Sequence, residues 1–269
     1  MWKRGLLLLC LGLWTGCSGG GSASVDPEKQ VERFEAAWAE FHRYVAAVHP
    51  SVDFKLRPGA SDEDIAALEK AWGGKLTPEL KALYRAADGQ DGEGFALFPG
   101  YRFLPLEEIT PQAELMNGAG LFFIRFIPAD PDPGVKGWWW DNDWLPIGEN
   151  GAGDLFCADF APAKGGVDGQ LIGFIHDASP RKRYADGPAD LFEKLRAGLE
   201  TGDWVAYSEW QVFLSREEAD EYGIEAESVS SEPESPETES SMTERTEEGG
   251  SPEDSEDPGS EDPEEPADQ

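Results

Sequence analysis

Up to Asp88-Gly89 the apolar residues of this chain recur at three- and four-residue spacings; beyond it they come in short aromatic runs cut by glycine, proline and aspartate. That change of period constrains the fold more than any other feature, because helices and strands bury differently spaced residues. Val31, Phe34, Trp38, Phe41, Val45 and Val48 predict an amphipathic helix over 27–48, closed by Pro50. Ser61 and Asp64 have the spacing of a capping box, so a second helix starts there, buries Ile65, Leu68 and Trp72, and stops at Gly73-Gly74. Thr77-Pro78 opens a third, which aligns Leu80, Leu83 and Tyr84 and ends at Asp88-Gly89. The runs FALFP, YRFLPL, LFFIRFIP, DLFCADFA and QLIGFIH predict strands. A further helix follows Pro188, with Leu191, Phe192, Leu195 and Leu199 on one face; residues 204–214 fit a strand or a short helix. Helices, then a meander, then a helix predict an α+β fold of one domain, an antiparallel sheet with helices packed on one side.

Both ends depart from that pattern. Lys3 and Arg4 precede the apolar run Gly5 to Trp14, too short to cross a bilayer as a permanent helix, and together they read as an export signal. The residues LWTGC that follow resemble the lipobox of bacterial lipoproteins, where the chain is cut before a cysteine whose thiol is acylated. Thr15 and Gly16 fit that pattern; Trp14 stands where leucine or valine is usual, and ordinary secretory cleavage near Ala23 is the alternative. The expectation is a lipoprotein signal peptide over 1–16, lipid on Cys17 and a flexible tether over 17–26. The protein would then sit in a bacterial cell envelope, touching membrane only through the anchor.

At the other end, residues 225–269 hold 18 acidic side chains and one basic, a net of −17 out of −32 for the chain. With so few aliphatic residues this stretch predicts a disordered acidic tail, either a solvated brush or a docking site for a basic partner or divalent cations. Such charge excludes nucleic acid as a partner. Once Cys10 has left with the signal and Cys17 carries lipid, Cys157 stands alone and no intramolecular disulfide can form. The domain over 27–214, about 190 residues, must be held by its own core.

Little in that domain reads as catalytic. In WLPIGENGAGDLFCADF the block Glu149 to Asp154 reads as a hairpin turn: Gly151 and Gly153 permit positive φ, and Asn150 and Asp154 can bond their own backbone. Cys157 and His176 could neighbour one another in a sheet, but nothing cationic beside Cys157 would activate the thiol. His42, His49 and His176 lack metal-ligand spacing. Glu149, Asp154 and Asp159 lack the regular spacing of a calcium loop. GQDGEG leads towards aromatic strand residues, not into a helix, and is no phosphate loop. The expectation is therefore no catalytic residue, no metal and no cofactor.

Two features remain. GWWWDNDW sets Trp138, Trp139, Trp140 and Trp144 around Asp141, Asn142 and Asp143. Core and hairpin packing, an aromatic anchor for a protein partner, and a sugar-stacking platform are all readings of it. SPRKRY, residues 179–184, is a small basic island that reads as a solvated loop or a contact for an acidic partner or the tail.

The stretches PGASDEDIAALEKAWGGKLTPELKALYRAADGQ, WLPIGENGAGDLFCADF and GQLIGFIHDASPRKRYADGPADLFEKLRAGL, in that order over roughly 140 residues, resemble the Smi/Knr-type domain of the SUKH superfamily. Leu76-Thr77-Pro78 replaces the tighter Leu-Pro of the family, and residues 110–143 match no stated pattern of it. The resemblance implies a binding module, as in fungal regulators of wall assembly and bacterial immunity proteins against toxins. The expected function is a non-catalytic protein-binding module on an anchored envelope protein, immunity or regulatory in type, with a toxin or an envelope enzyme as partner. Its expected contact residues are Trp138, Trp139, Trp140, Asp141, Asp143 and Trp144. The alternative is a glycan-binding factor assisting cell-wall assembly.

Overall fold

In a computed structural model, residues 26–92, 94–118 and 127–224 are described. Helix α1 spans Pro27–Val48, with the Asp26 carboxylate accepting from the Glu28 N–H. Helix α2 is Asp62–Trp72: Ser61 and Asp64 form the reciprocal capping box, and Gly73 closes the helix at φ 87°. Helix α3 is Pro78–Ala86, capped by the Thr77 hydroxyl. All three follow the starts and stops read from the sequence, because the signals that set them are local.

The next segment departs from it. FALFP is not a strand but a buried irregular loop. Gln90, itself buried, takes the place of a sheet partner there. Its amide nitrogen donates to the carbonyls of Phe54 and Phe95, and its oxygen accepts from the N–H groups of Leu97 (3.0 Å) and Phe103 (2.8 Å). YRFLPL holds only the short strand β1, Arg102–Phe103, before helix α4 begins at Leu106 and runs to Asn117. That helix has Pro105 as its cap residue and Pro111 inside it. Its first N–H is capped from afar, by the Asp88 carboxylate at 2.9 Å. Most of LFFIRFIP lies outside the described residues.

Strand β2 is Asp130–Pro131, β3 Trp144–Glu149, β4 Leu155–Asp159, β5 Gln170–Phe174, β6 Pro180–Arg181 and β7 Arg183–Ala185. Helix α5, Pro188–Thr201, follows as expected. Residues 204–214, undecided by pattern, fall mostly within a hairpin of β8 (Trp204–Tyr207) and β9 (Val212–Ser215), and helix α6 (Arg216–Glu221) follows. A five-stranded sheet runs β1-β3-β4-β5-β7, each neighbouring pair antiparallel.

Every residue of β4 and β5 is buried, so the sheet is covered on both faces. One face receives Leu145, Ile147, Phe156, Ala158 and Leu171 and packs against Phe34, Phe41, Leu80, Leu83, Phe192 and Leu195 of α1, α3 and α5. The other receives Trp144, Leu155, Cys157, Ile172 and Phe174 and is closed by Val135, Trp139 and Trp140 with Met116. The fold is α+β, with its main helical layer on one side. The second cover is a tryptophan-bearing loop rather than a helical layer.

Candidate interaction surface

The hairpin over Glu149 to Asp154 is built as its residues predict. Strands β3 and β4 pair antiparallel on either side, and Gly151 and Gly153 take φ of 73° and 106°. The Asn150 amide oxygen accepts from the Ala152 and Asp154 N–H groups, at 2.9 and 3.1 Å. The absence of a side chain at Gly153 leaves room for the His176 ring, which a Cβ there would meet at 3.2 Å. Asp154 Oδ1 accepts from the His176 backbone N–H (2.9 Å) and pairs with its Nδ1 (2.8 Å). That hydrogen bond raises the His176 pKa. Burial works against the Asp154 carboxylate, but hydrogen bonds from His176 and Asn150 outweigh it and hold its pKa low.

Asp154, His176 and Asp177 thereby bring three donor atoms within 4.8 Å of one another. Chain spacing hid that proximity, since it arises across the sheet. The three carboxylates weighed as a calcium loop are not gathered. Glu149 pairs with Arg102 at 3.0 Å, Asp154 holds His176, and buried Asp159 accepts from Gln170 at 2.8 Å. Cys157 pairs in register with Ile172 inside the tryptophan-covered core, and burial pushes its thiol well above the ordinary pKa.

The six residues of the tryptophan segment divide. Trp140 and Trp144 are 2% and 1% exposed, packed edge-to-face at 5.8 Å, and form core rather than surface. Trp140 donates from its indole nitrogen to Asn117 at 2.9 Å. This corrects their assignment as contact residues: a side chain already enclosed by the sheet has no face to offer. Trp138 is 43% exposed, Trp139 is half-buried, and Asp143 is exposed. Asp141 is mostly buried, paired with Lys136 at 2.9 Å, and accepts from the Asp143 N–H at 3.1 Å. Ile127 is also exposed, and its carbonyl accepts from the Trp139 N–H at 2.8 Å, which holds its backbone alongside the segment.

What pins this segment is Arg181, which the sequence placed in a solvated basic loop. It is fully buried. Its guanidinium donates to the carbonyls of Trp139 (2.9 Å), Ala178 (2.9 Å) and Pro180 (2.7 Å). It also lies 4.8 Å from the Trp139 ring centre and 4.5 Å from that of Phe174. Among the described residues no carboxylate is in ion-pair range of it. Burial lowers its pKa to about 10, which leaves it charged at neutral pH. Carbonyl dipoles and aromatic faces therefore carry the compensation a carboxylate would otherwise supply. Of the same island, Lys182 is exposed and Arg183 pairs with Asp186 at 2.6 Å. No short-range signal distinguishes Arg181 from its neighbours.

Residues 1–25 and 225–269, including Cys17 and the acidic stretch, lie outside the described residues. No helix among the described residues is long and apolar enough to cross a membrane. The chain is 24% identical over 203 residues to the cell wall biosynthesis/cell cycle regulator smi1 of Schizosaccharomyces pombe, an alignment covering 70% of this chain and 39% of that protein. The sequence model of the SMI1/KNR4 family (SUKH-1) matches residues 59–194, from just before α2 into α5, and so takes in the five-stranded sheet and the tryptophan cover but leaves α1 of the helical cover outside. With the match extending over half of its length, the chain belongs to the SMI1/KNR4 family.

Proposed function

We propose that this chain is a non-catalytic protein-binding module, immunity or regulatory in type, on an envelope protein anchored through lipid on Cys17. Its partner is a toxin or an envelope enzyme. The observation that carries the reading is exposed Trp138 beside half-buried Trp139, set on a segment whose backbone is fastened by a buried cation. Rigid, amphipathic tryptophans on a fixed backbone lose little freedom on binding, which is why they recur as interface hot spots. Asp143 supplies a polar rim beside them. A catalytic use of Cys157 is opposed by its burial and its raised thiol pKa.

A pull-down from envelope extract tests the reading. Folded Trp138→Ala and Trp139→Ala variants should lose about thirtyfold in affinity for the captured protein. Normal binding by both would remove the patch from the account. The mature N-terminus, weighed by mass spectrometry, should begin at an acylated Cys17; a free terminus near Ser24 would remove the anchor.

The second reading, a glycan-binding factor assisting wall assembly, is favoured by the named role of the fission-yeast relative in cell wall biosynthesis and by an exposed indole able to stack on a sugar. Retention on isolated cell wall that disappears in Trp138→Ala, with no captured protein, would favour it over the first.

A further inference from the structure

A second exposed aromatic surface lies beyond the family-matched residues, on the β8–β9 hairpin and α6. Trp210 is 50% exposed and Tyr222 60%, although both are large apolar side chains in a domain with a well-filled core. Trp210 stands edge-on to Tyr207 at 5.2 Å and to Tyr222 at 5.0 Å, with interplanar angles of 86° and 80°. The three rings form one continuous run across two elements. They are held there by backbone. Gln211 adopts a left-handed φ of 55°, rare outside glycine, and its carbonyl accepts from the Ala96 N–H at 2.7 Å. The turn that lifts Trp210 into solvent is therefore tied to the irregular loop at 95–98. A non-glycine residue kept in that conformation marks a shape maintained against local preference.

The chemistry around the rings is one-sided. The Tyr207 hydroxyl is hydrogen-bonded to the Glu209 carboxylate, and Asp220 and Glu221 immediately precede Tyr222. The neighbouring basic side chain, Arg216, is turned to the Gly202 carbonyl at 3.0 Å and lies 3.8 Å from Asp220. In sequence, the acidic stretch of net −17 starts three residues past Tyr222. Aromatic faces and carboxylates together attract one class of group: a cation bearing a flat or apolar body, above all a guanidinium. We propose that the Tyr207–Trp210–Tyr222 surface docks an arginine-bearing segment of a partner protein, with the guanidinium over Trp210 or Tyr222 and its charge answered by Glu209 and Glu221. This surface is independent of the Trp138 patch, and neither stands or falls with the other.

The test uses the full chain and a fluorescein-labelled octapeptide of alternating arginine and glycine, with a glutamate–glycine counterpart and a chitin-type tetrasaccharide as comparison probes, followed by anisotropy and, for the sugar, calorimetry. The arginine peptide should bind and the glutamate peptide should not. Trp210→Ala and Tyr222→Ala should each weaken the arginine peptide about tenfold, the worth of one or two exposed cation–π contacts. Glu209→Gln should weaken it less and flatten its salt dependence. Trp138→Ala should leave it unchanged. Because Trp210 and Tyr222 are exposed on different elements, a folding defect in one variant leaves the other to decide. Unchanged binding in both aromatic variants would assign the peptide to the acidic stretch alone and overturn the proposal. So would failure of the arginine peptide to bind, or Trp210-dependent binding of the sugar in its place.

Discussion

The two faces of the central sheet are covered by different means. On one side α1, α3 and α5 bring regularly spaced aromatic and aliphatic residues: Phe192 alone meets Phe34, Trp38 and Phe41 at ring-centre distances of 5.1 to 6.3 Å. On the other, a non-helical loop brings Val135, Trp139 and Trp140, and a buried guanidinium fastens it through carbonyl groups. The helical cover stabilises by area, and each of its residues substitutes for a share of the others. The tryptophan cover depends on a few directional contacts around one cation, so it can be loosened without dismantling the helices.

That contrast can be broken at several points. The largest effect is expected from Phe192→Ala, which opens a cavity in the helical cover and should cost about 3–5 kcal/mol in denaturant unfolding. Far- and near-ultraviolet circular dichroism should then be lost together. Next comes Arg181→Met, which keeps bulk but leaves the Trp139, Ala178 and Pro180 carbonyls without their donor, at about 2–3 kcal/mol. Its signature should be loss of the near-ultraviolet tryptophan signal with helix content intact. If both signals fall as in Phe192→Ala, the two covers are not separable as described.

A smaller effect is expected at the hairpin clamp. The His176 pKa is raised above 6.5, so its contribution is complete below that value and is lost as pH rises through the higher folded value. The Asp154 pKa is lowered below 3.8, so its contribution is present above that value and is lost as pH falls through the lower folded value. The clamp is therefore strongest between the two. The Tm difference between wild type and His176→Ala should shrink as pH is raised from about 6 to 9; a constant difference would mean the pair does no electrostatic work. The smallest effect is expected from truncation after Ile224. The removed stretch is almost without apolar side chains, so the thermal midpoint should stay where it is. A large drop would give the acidic stretch a part in the fold.

The difference between the covers also explains what could be read in advance. Ser61 with Asp64, Thr77 with Pro78, and Gly73 set helix ends through neighbours three or four residues away, so local pattern sufficed. Helix α4 escaped because its cap, Asp88, stands 18 residues before Leu106. The division of the tryptophan segment escaped for a related reason. Trp140 is held inward by Asn117 and Phe174, and Trp139 by Arg181, none of them close in sequence. The Tyr207–Trp210–Tyr222 surface left no trace in a stretch that fitted either a strand or a short helix.

Gln90 carries a consequence for how this sequence can drift. Its single amide serves four main-chain groups, two as donor and two as acceptor, in a stretch with little regular pairing. Every amino acid one nucleotide away from glutamine fails there. Glutamate would aim lone pairs at the Phe54 and Phe95 carbonyls, while lysine and arginine cannot accept from Leu97 and Phe103. Histidine cannot present both roles twice, and leucine and proline offer neither. The position is closed to single-step substitution, whereas Phe54, Phe95, Leu97 and Phe103, bonded to it through backbone but buried in the core, can change only to other apolar residues of similar size. Genetic variation in this loop should therefore exchange one apolar side chain for another, while the one amide that shapes it stays fixed.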